Sequence, residues 1–461
     1  MRTIITAAVM CLLSAPLLWS QDQIERGPYG GLKFAQWEAA GFFRTHFDGR
    51  CWWLVTPEGR PFLSVGVCGV RETGHMARGL GYAPYQRNVM RIHGSVDRWK
   101  EVARSRLLDW GFNTVAAWSR DDMGLPWTKS LSFSGGHWLK GTLPDFFSRE
   151  YADHAEKLAA KQARPDDKLL IGYFLDNEMQ WNTDWRLGPS LFDHYTSLPA
   201  DAAGKRALVD FFKGQYPFPT AMAEVWHPST KAWEDLAGVA QLIPRQGQED
   251  RAAEDREAFT LLAARRYFRV CTSALRKADP NHLILGCRFV NWTVPEAVVQ
   301  ACGEYCDVVS LNFYEIGPLG QVVYLARSAM KVRLISSADA FRRFHELTGK
   351  PVMITEFGFR AMDSDPPNTY PPPLIAQPTV PTQADRGRKF EKYVKEWAAT
   401  DYIVGYHWFC YEDEPKEGRT LDGENGNYGL VNIEDKPYDE FLKIAVPANR
   451  AFIKARLPKE E

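Results

Sequence analysis

Short apolar runs rich in β-formers alternate along this chain with longer stretches of helical spacing, a pattern that predicts a parallel sheet built from βα units. About eight such runs stand out: Pro61–Val67, Asn113–Trp118, a poorly marked third between Ser130 and Leu143, Leu169–Leu175, Leu283–Phe289, Val308–Tyr314, Pro351–Thr355 and Val404–Phe409. They are continuously apolar rather than alternating, so both faces of each strand should be covered. Eight repeats predict an α/β fold of the (β/α)8 TIM-barrel type over a doubly wound sheet. A simple barrel needs about 250 residues, so a chain of 461 residues must carry insertions, placed at about 179–282 and 363–382. The second half of the first, Arg251 to Ala278, has helical spacing and ends at Asp279-Pro280-Asn281, a helix stop. The second is rich in proline, which fits a semi-rigid rim over a pocket or an inert surface loop.

Ahead of the first run, Arg2 precedes an apolar stretch from Ile4 to Met10 that resumes through Leu12, Leu13 and Leu17 to Trp19, before polar Ser20-Gln21-Asp22. Residues 1–20 read as a signal peptide, so the mature chain should be secreted or periplasmic, without a membrane span once the segment is cleaved. An uncleaved anchor is the alternative. Residues 21–60 carry Phe42–Phe43 and Cys51–Val55, flanked by the turn signals Asp48-Gly49-Arg50 and Pro57-Glu58-Gly59-Arg60. This predicts an N-terminal β-hairpin extension packed on a catalytic domain of 61–461. Of the 8 cysteines, Cys11 lies in the leader; Cys68, Cys287 and Cys410 fall in or just after β-like stretches and read as buried thiols. Cys302 and Cys306 are close enough in sequence for a local disulfide. Nothing in the sequence indicates an oligomeric state.

Charge narrows the partners. Lys+Arg 56 against Asp+Glu 57 leaves a net charge of -1, too little field to attract nucleic acid or an anionic membrane surface, so a neutral substrate is expected. Aromatic residues make up 13% of the chain, with 16 Trp; flat rings suit the C–H faces of sugars, although an aromatic core explains them as well. No metal and no cofactor is expected: paired Cys/His ligand spacings are missing, and Gly317-Pro318-Leu319-Gly320 is a poor phosphate loop.

In a barrel the chemistry sits at the C-terminal strand ends, so polar residues that terminate apolar runs are the first candidates. The fourth run ends in Asp176-Asn177-Glu178 and the seventh in Thr355-Glu356-Phe357-Gly358. Either glutamate alone could simply begin a polar loop. Two facing each other could lie about 5–5.5 Å apart, the separation that double displacement at a sugar carbon needs. Arg71, Trp118, Arg288 and Asn312 also lie near strand ends, as substrate contacts or as structural residues, while Glu412, Asp413, Glu414 and Glu424 read as a solvated acidic loop, with binding of sugar hydroxyls or a stray cation as the alternative.

With these motifs in place the chain resembles clan A glycoside hydrolases, which carry Asn-Glu after the fourth strand and a second Glu after the seventh. The resemblance implies a retaining enzyme in which Glu178 is the acid/base and Glu356 the nucleophile, the first with a raised pKa and the second with a low one. It implies further that Asn177 bonds the sugar 2-OH, Tyr314 positions the nucleophile and Trp408 forms the floor under the reacting sugar, barrel packing being the alternative for the last two. Three stretches narrow the likeness to β-agarases of the family-50 type: Trp52 to Phe62, Gly172 to Glu178, and Trp408 to Pro415 followed by Asp422-Gly423-Glu424-Asn425. By that likeness the substrate is a neutral galactan of the agarose kind. The two insertions depart from the pattern, which keeps open a β-galactosidase, mannanase or xylan-type hydrolase of the same clan, or a non-catalytic carbohydrate-binding barrel.

Overall fold

The apolar runs become the strands of one large sheet. The computed structural model describes residues 25–135, 142–184, 186, 188–290, 293–315, 337–367 and 379–458. The expected signal segment, 1–20, lies outside them. In chain order the strands are β1 (Arg44–Phe47), β2 (Trp52–Val55), β3 (Pro61–Phe62), β4 (Ser64–Val67), β5 (Thr114–Val115), β6 (Trp127–Ser130), β7 (Leu170–Phe174), β8 (Trp226–His227) and β9 (Ile243–Pro244). Then follow β10 (Leu283–Ile284), β11 (Phe289–Val290), β12 (Val309–Asn312), β13 (Val352–Phe357), β14 (Arg360–Ala361), β15 (Thr379–Val380) and β16 (Ile403–Trp408).

Nine of these form a parallel sheet in the order β10-β7-β6-β5-β4-β16-β13-β12-β11. The expected closed (β/α)8 TIM barrel is therefore corrected: the fold is mixed α/β around a curled nine-stranded sheet whose hydrogen-bond ladders do not close into a ring of eight. The reason lies in the fifth run, Leu283–Phe289. Its first part pairs with Gly172 and Tyr173 of β7, and its end pairs with Leu311 and Asn312 of β12, so one run supplies both edges. Between them Gly286 (φ 86°) and Arg288 (φ 47°) leave the extended region. A side chain at Gly286 would meet the Ser310 amide and the Val308 carbonyl at 3.0 Å, so only glycine fits this break. The third strand also differs: it is Trp127–Ser130, ahead of the stretch expected, part of which (136–141) lies outside the described residues.

Long helices cover the outer face, among them Val96–Asp109, Arg149–Gln162, Glu249–Ala278, Gln383–Ala398 and Asp439–Lys454. Several start on a side-chain cap, such as Ser95 accepting from the Arg98 amide and Thr382 accepting from that of Asp385. Between β7 and the helix Glu249–Ala278 the described residues make four helices, the longest Ala203–Gln215, and the hairpin β8–β9. The Pro-rich stretch after β13 is bracketed by the parallel pair β14–β15, and its residues 368–378 lie outside the described residues.

β1, β2 and β3 form an antiparallel meander. Phe43, Leu54 and Phe62 from it pack with Ile171, Leu283, Val308, Met353 and Val404, residues at or near the starts of the sheet strands. The meander therefore plugs the N-terminal end of the curl and leaves the C-terminal strand ends as the open end. Each large side chain buried there contributes about 1.5–3 kcal/mol. All seven cysteines from Cys51 to Cys410 are buried and free, Cys302 and Cys306 included, so no disulfide joins that pair. Among the described residues no helix is long and apolar enough to cross a membrane.

Candidate active site

At the open end β7, β12 and β13 bring their terminal polar residues together. β7 runs out through Leu175 to Asp176, which is buried and accepts from the Ser134 amide (3.0 Å), the Ser134 hydroxyl (2.7 Å) and the Tyr267 hydroxyl (2.7 Å). Burial raises its carboxyl to about 6 against those donors. Asp176 thus pins the strand end to its neighbours, and the next two residues project into the opening. Asn177 Oδ1 accepts from Arg288 Nε at 2.8 Å and from Asn312 Nδ2 at 3.1 Å; Glu178 Oε1 accepts from the same Asn312 nitrogen at 3.0 Å. Thr355 Oγ1 donates to Asn312 Oδ1 at 2.9 Å, which fixes the orientation of that amide.

Glu356 lies within β13, paired in register with Asn312 of β12, and only 5% of it is exposed. Its carboxylate accepts from Arg288 Nη2 and, at 2.9 Å, from the Tyr314 hydroxyl. Burial pushes the Glu356 carboxyl above its ordinary range, opposed by Arg288 and Tyr314. The low value expected for this residue is not what its surroundings give, because the desolvation of a side chain this enclosed outweighs its two donors.

Three of the four non-glycine residues with positive φ among the described residues are here: Trp118 (φ 61°), Glu178 (φ 47°) and Arg288 (φ 47°). Such backbone costs on the order of 1–3 kcal/mol per residue and persists where surrounding contacts hold it. The contacts are visible. The Glu178 amide donates to the Arg288 carbonyl at 3.2 Å, and the Arg288 guanidinium lies 4.6 Å from the centre of the Trp118 ring. Trp118 is 38% exposed, stands edge-on to Phe409 at 6.0 Å and offers its ring to the opening.

The structure thus joins Asn177, Glu178, Arg288, Asn312, Tyr314, Glu356 and Trp118. It places one expected residue, Trp408, elsewhere. Trp408 is fully buried behind the sheet against Phe357, Phe390 and Phe441, its indole N–H donating to the Tyr428 carbonyl at 2.9 Å, so it cannot form a sugar floor. The neighbouring Phe409, together with Trp118 and Tyr428, is the aromatic group at the strand end. Arg71 is half-buried, with Nη2 3.2 Å from His75 Nδ1, and its charge acts on Glu412 in the turn after β16. Arg288 is present but wholly enclosed, which removes it as a direct substrate contact.

Sequence reasoning missed the role of the acidic turn after β16. Glu412, Asp413 and Glu414 are buried rather than solvated. Asp413 accepts from the Gly429 amide (2.8 Å) and the Tyr438 hydroxyl (2.5 Å), and Glu414 accepts from the Gly426 amide (2.6 Å). Arg419 pairs with Glu414, Asp422 and Glu424, and its charge reaches Glu356. Burial drives Glu412 and Glu414 up to about 8 and Asp413 to about 6. The sequence signal was there, since Arg419 sits among the acids in the chain. Among the described residues no group of three or more His, Cys, Asp and Glu could hold a metal ion.

The fold built on this curled parallel sheet is one that the chain shares with solved proteins over nearly its whole length. The particular ones are agarases. The chain is similar to an agarase, AgWH50C, and to an exo-beta-agarase, each at a TM-score of 0.77 and 27% identity over 94% of this chain and 68% of theirs. PfGH50B shares the fold at a TM-score of 0.79 and 24% identity, over 95% of this chain and 70% of that one. Among curated proteins, Beta-agarase A of Vibrio sp. (strain JT0107) is 26% identical over 456 residues, covering 84% of this chain and 43% of the relative. Beta-agarase B of the same organism is 25% identical over 516 residues, covering 94% and 51%. The chain spans about half the length of the curated relatives it matches. No family model matches it.

Proposed function

We propose that this protein is a glycoside hydrolase of the agarase type, cleaving β-linked neutral galactan outside the cytoplasm by retaining double displacement. The observation that carries the reading is that two glutamates, one just after β7 and one within β13, enter one hydrogen-bonded group through Asn312, Asn177, Arg288 and Tyr314. Likeness to agarases over nearly the whole chain supports the substrate class.

Glu178 protonates the leaving oxygen while Glu356 attacks the anomeric carbon, and the C–O bond to the leaving sugar breaks as the glycosyl ester forms. Glu178, now a carboxylate, then takes a proton from water, whose oxygen attacks the ester and frees Glu356. Asn177 Oδ1 is committed to two donors, so its Nδ2 is left to donate to the sugar 2-OH, a bond that strengthens as positive charge develops on the ring. Tyr314 holds one nucleophile oxygen in place. Trp118 and Phe409 supply apolar faces for the sugar ring.

The test is product analysis on a panel of neutral glycans, agarose and neoagaro-oligosaccharides included, with NMR of the first-formed anomer and Glu356→Gln as control. Release of agaro-oligosaccharides with retained configuration by wild type alone supports the whole reading. Inverted product removes the double displacement, activity only on another glycan removes the agarase assignment, and binding without turnover removes the enzyme.

A further inference from the structure

We propose that Arg288 is a positioning residue whose single buried guanidinium locks Glu356 and Asn177 into one unit behind the substrate. The inference rests on the roles proposed above and names what holds those two groups in register.

Four observations carry it. The Arg288 side chain is 0% exposed, so it acts on substrate only through others. Its fork is divided: Nε goes to Asn177 Oδ1 at 2.8 Å and Nη2 to Glu356. A planar guanidinium keeps these donors at fixed separation and angle, which the ammonium of a lysine cannot do. The guanidinium also lies against two aromatic rings, 4.6 Å from the centre of Trp118 and 5.1 Å from that of Phe174. Finally, the main chain takes part. The Arg288 carbonyl accepts from the Glu178 amide at 3.2 Å, and its own amide donates to Ser310 Oγ at 2.9 Å. One residue therefore touches the acid/base through its backbone and the other two groups through its side chain, from the gap between β10 and β11 where the sheet is interrupted.

The arrangement has two chemical consequences. Burial pushes the Glu356 carboxyl up, and Arg288 is the foremost influence opposing that push, so it favours the carboxylate that the attack needs. The orientation of Asn177 is dictated by a group that can only donate, so its amide nitrogen always faces the sugar.

The experiment uses Arg288→Lys and Arg288→Ala in the full chain. The first readout needs no activity: the Glu356 carboxyl carbon is followed by carbon-13 NMR against pH, assigned with Glu356→Gln. The expected result is an upward shift of its titration midpoint by about one unit or more in Arg288→Lys. The second readout is kcat/KM against pH on an agaro-oligosaccharide, where the acid limb should move the same way, with about 100-fold lower kcat at neutral pH. The third compares that substrate with its 2-deoxy analogue; the discrimination shown by wild type should fall about tenfold in Arg288→Lys, because Asn177 is no longer aimed. Added guanidinium should restore part of the rate to Arg288→Ala alone; if that variant does not fold, Arg288→Lys decides. An unmoved Glu356 midpoint in folded Arg288→Lys overturns the inference. If wild type hydrolyses no glycan but the midpoint moves, the lock on Glu356 stands and the hydrolase reading fails. An active wild type with an unmoved midpoint keeps the hydrolase and removes the lock.

Discussion

Asn312 Nδ2 lies 3.0 Å from Glu178 Oε1 and donates to it, and the same nitrogen reaches Asn177 Oδ1 at 3.1 Å. A neutral amide therefore stands beside the proposed acid/base, held by Thr355 from the strand that carries Glu356. Replacing it with a carboxylate, Asn312→Asp, sets a like charge against Glu178 and leaves Asn177 without its second donor. We expect kcat to fall by about 10–100-fold with the alkaline limb of the rate profile displaced upward, since a neighbouring anion holds Glu178 protonated to higher pH. Steady-state kinetics between pH 5 and 9 check this; an unmoved alkaline limb would count against the acid role of Glu178.

The two glutamates should respond differently to exogenous anions. Glu356→Gln should lose on the order of 10³-fold or more in kcat and keep oligosaccharide binding, because the group removed acts on the anomeric carbon. Glu178→Ala should regain rate with azide, or on substrates whose leaving group needs no proton. Calorimetric binding together with azide titration separates them. Rescue of neither variant would remove the assignment.

Stability should depend on pH through the buried acidic turn. Burial pushes the Glu412 and Glu414 carboxyls up to about 8, well above the ordinary range, so the folded state binds their protons more tightly than the unfolded chain does. Their contribution is fully present below about 4.5, the ordinary glutamate value, and is lost as pH rises through about 8. The unfolding midpoint should therefore fall between about pH 4.5 and 8 and level off above that, and Glu412→Gln should flatten that slope. Asp279 has the opposite sign. Held down to about 2 by His282 and Tyr173 against the cost of burial, it stabilises above about 4 and loses that contribution as pH drops through 2. Thermal melts across the range test both arms.

Trp408 and Trp118 should separate stability from binding. Trp408→Ala removes a ring enclosed by Phe357, Phe390 and Phe441 and should cost about 3–5 kcal/mol in urea unfolding. Trp118→Ala removes a ring that is 38% exposed and faces the opening, so it should raise KM with a smaller loss of stability. A Trp408→Phe variant that keeps its stability but loses substrate would reverse this assignment.

The candidate site was legible because its signals are local: an apolar run that stops at Asp176-Asn177-Glu178, another that stops at Thr355-Glu356. The exchange of Trp408 for Phe409 has a physical cause. A strand buried on both faces shows no alternation, so the sequence carries no mark of which residue points out, and a one-residue error moves a side chain to the other face. The break at Gly286–Arg288 was equally hidden, because Leu283–Phe289 reads as one apolar run and an arginine with positive φ runs against its local preference. Buried acids such as Asp413 looked solvated for a third reason. Burial raises the Asp413 carboxyl against the Tyr438 hydroxyl and the Arg386 charge, and these two partners come from segments that sequence distance alone does not connect to it.

The meander at the base changes what counts as a part of this molecule. Phe43 and Phe62 stack edge-on at 5.4 Å and, with Leu54, share one apolar cluster with five strands of the sheet. A fragment begun at Pro61 would not be a catalytic core relieved of an ornament. It would be a vessel without its stopper, with water admitted to the undersides of β7, β12 and β13, the strands that carry the two glutamates and Asn312. The border near residue 60 is a line in the sequence and not a line of thermodynamic cleavage.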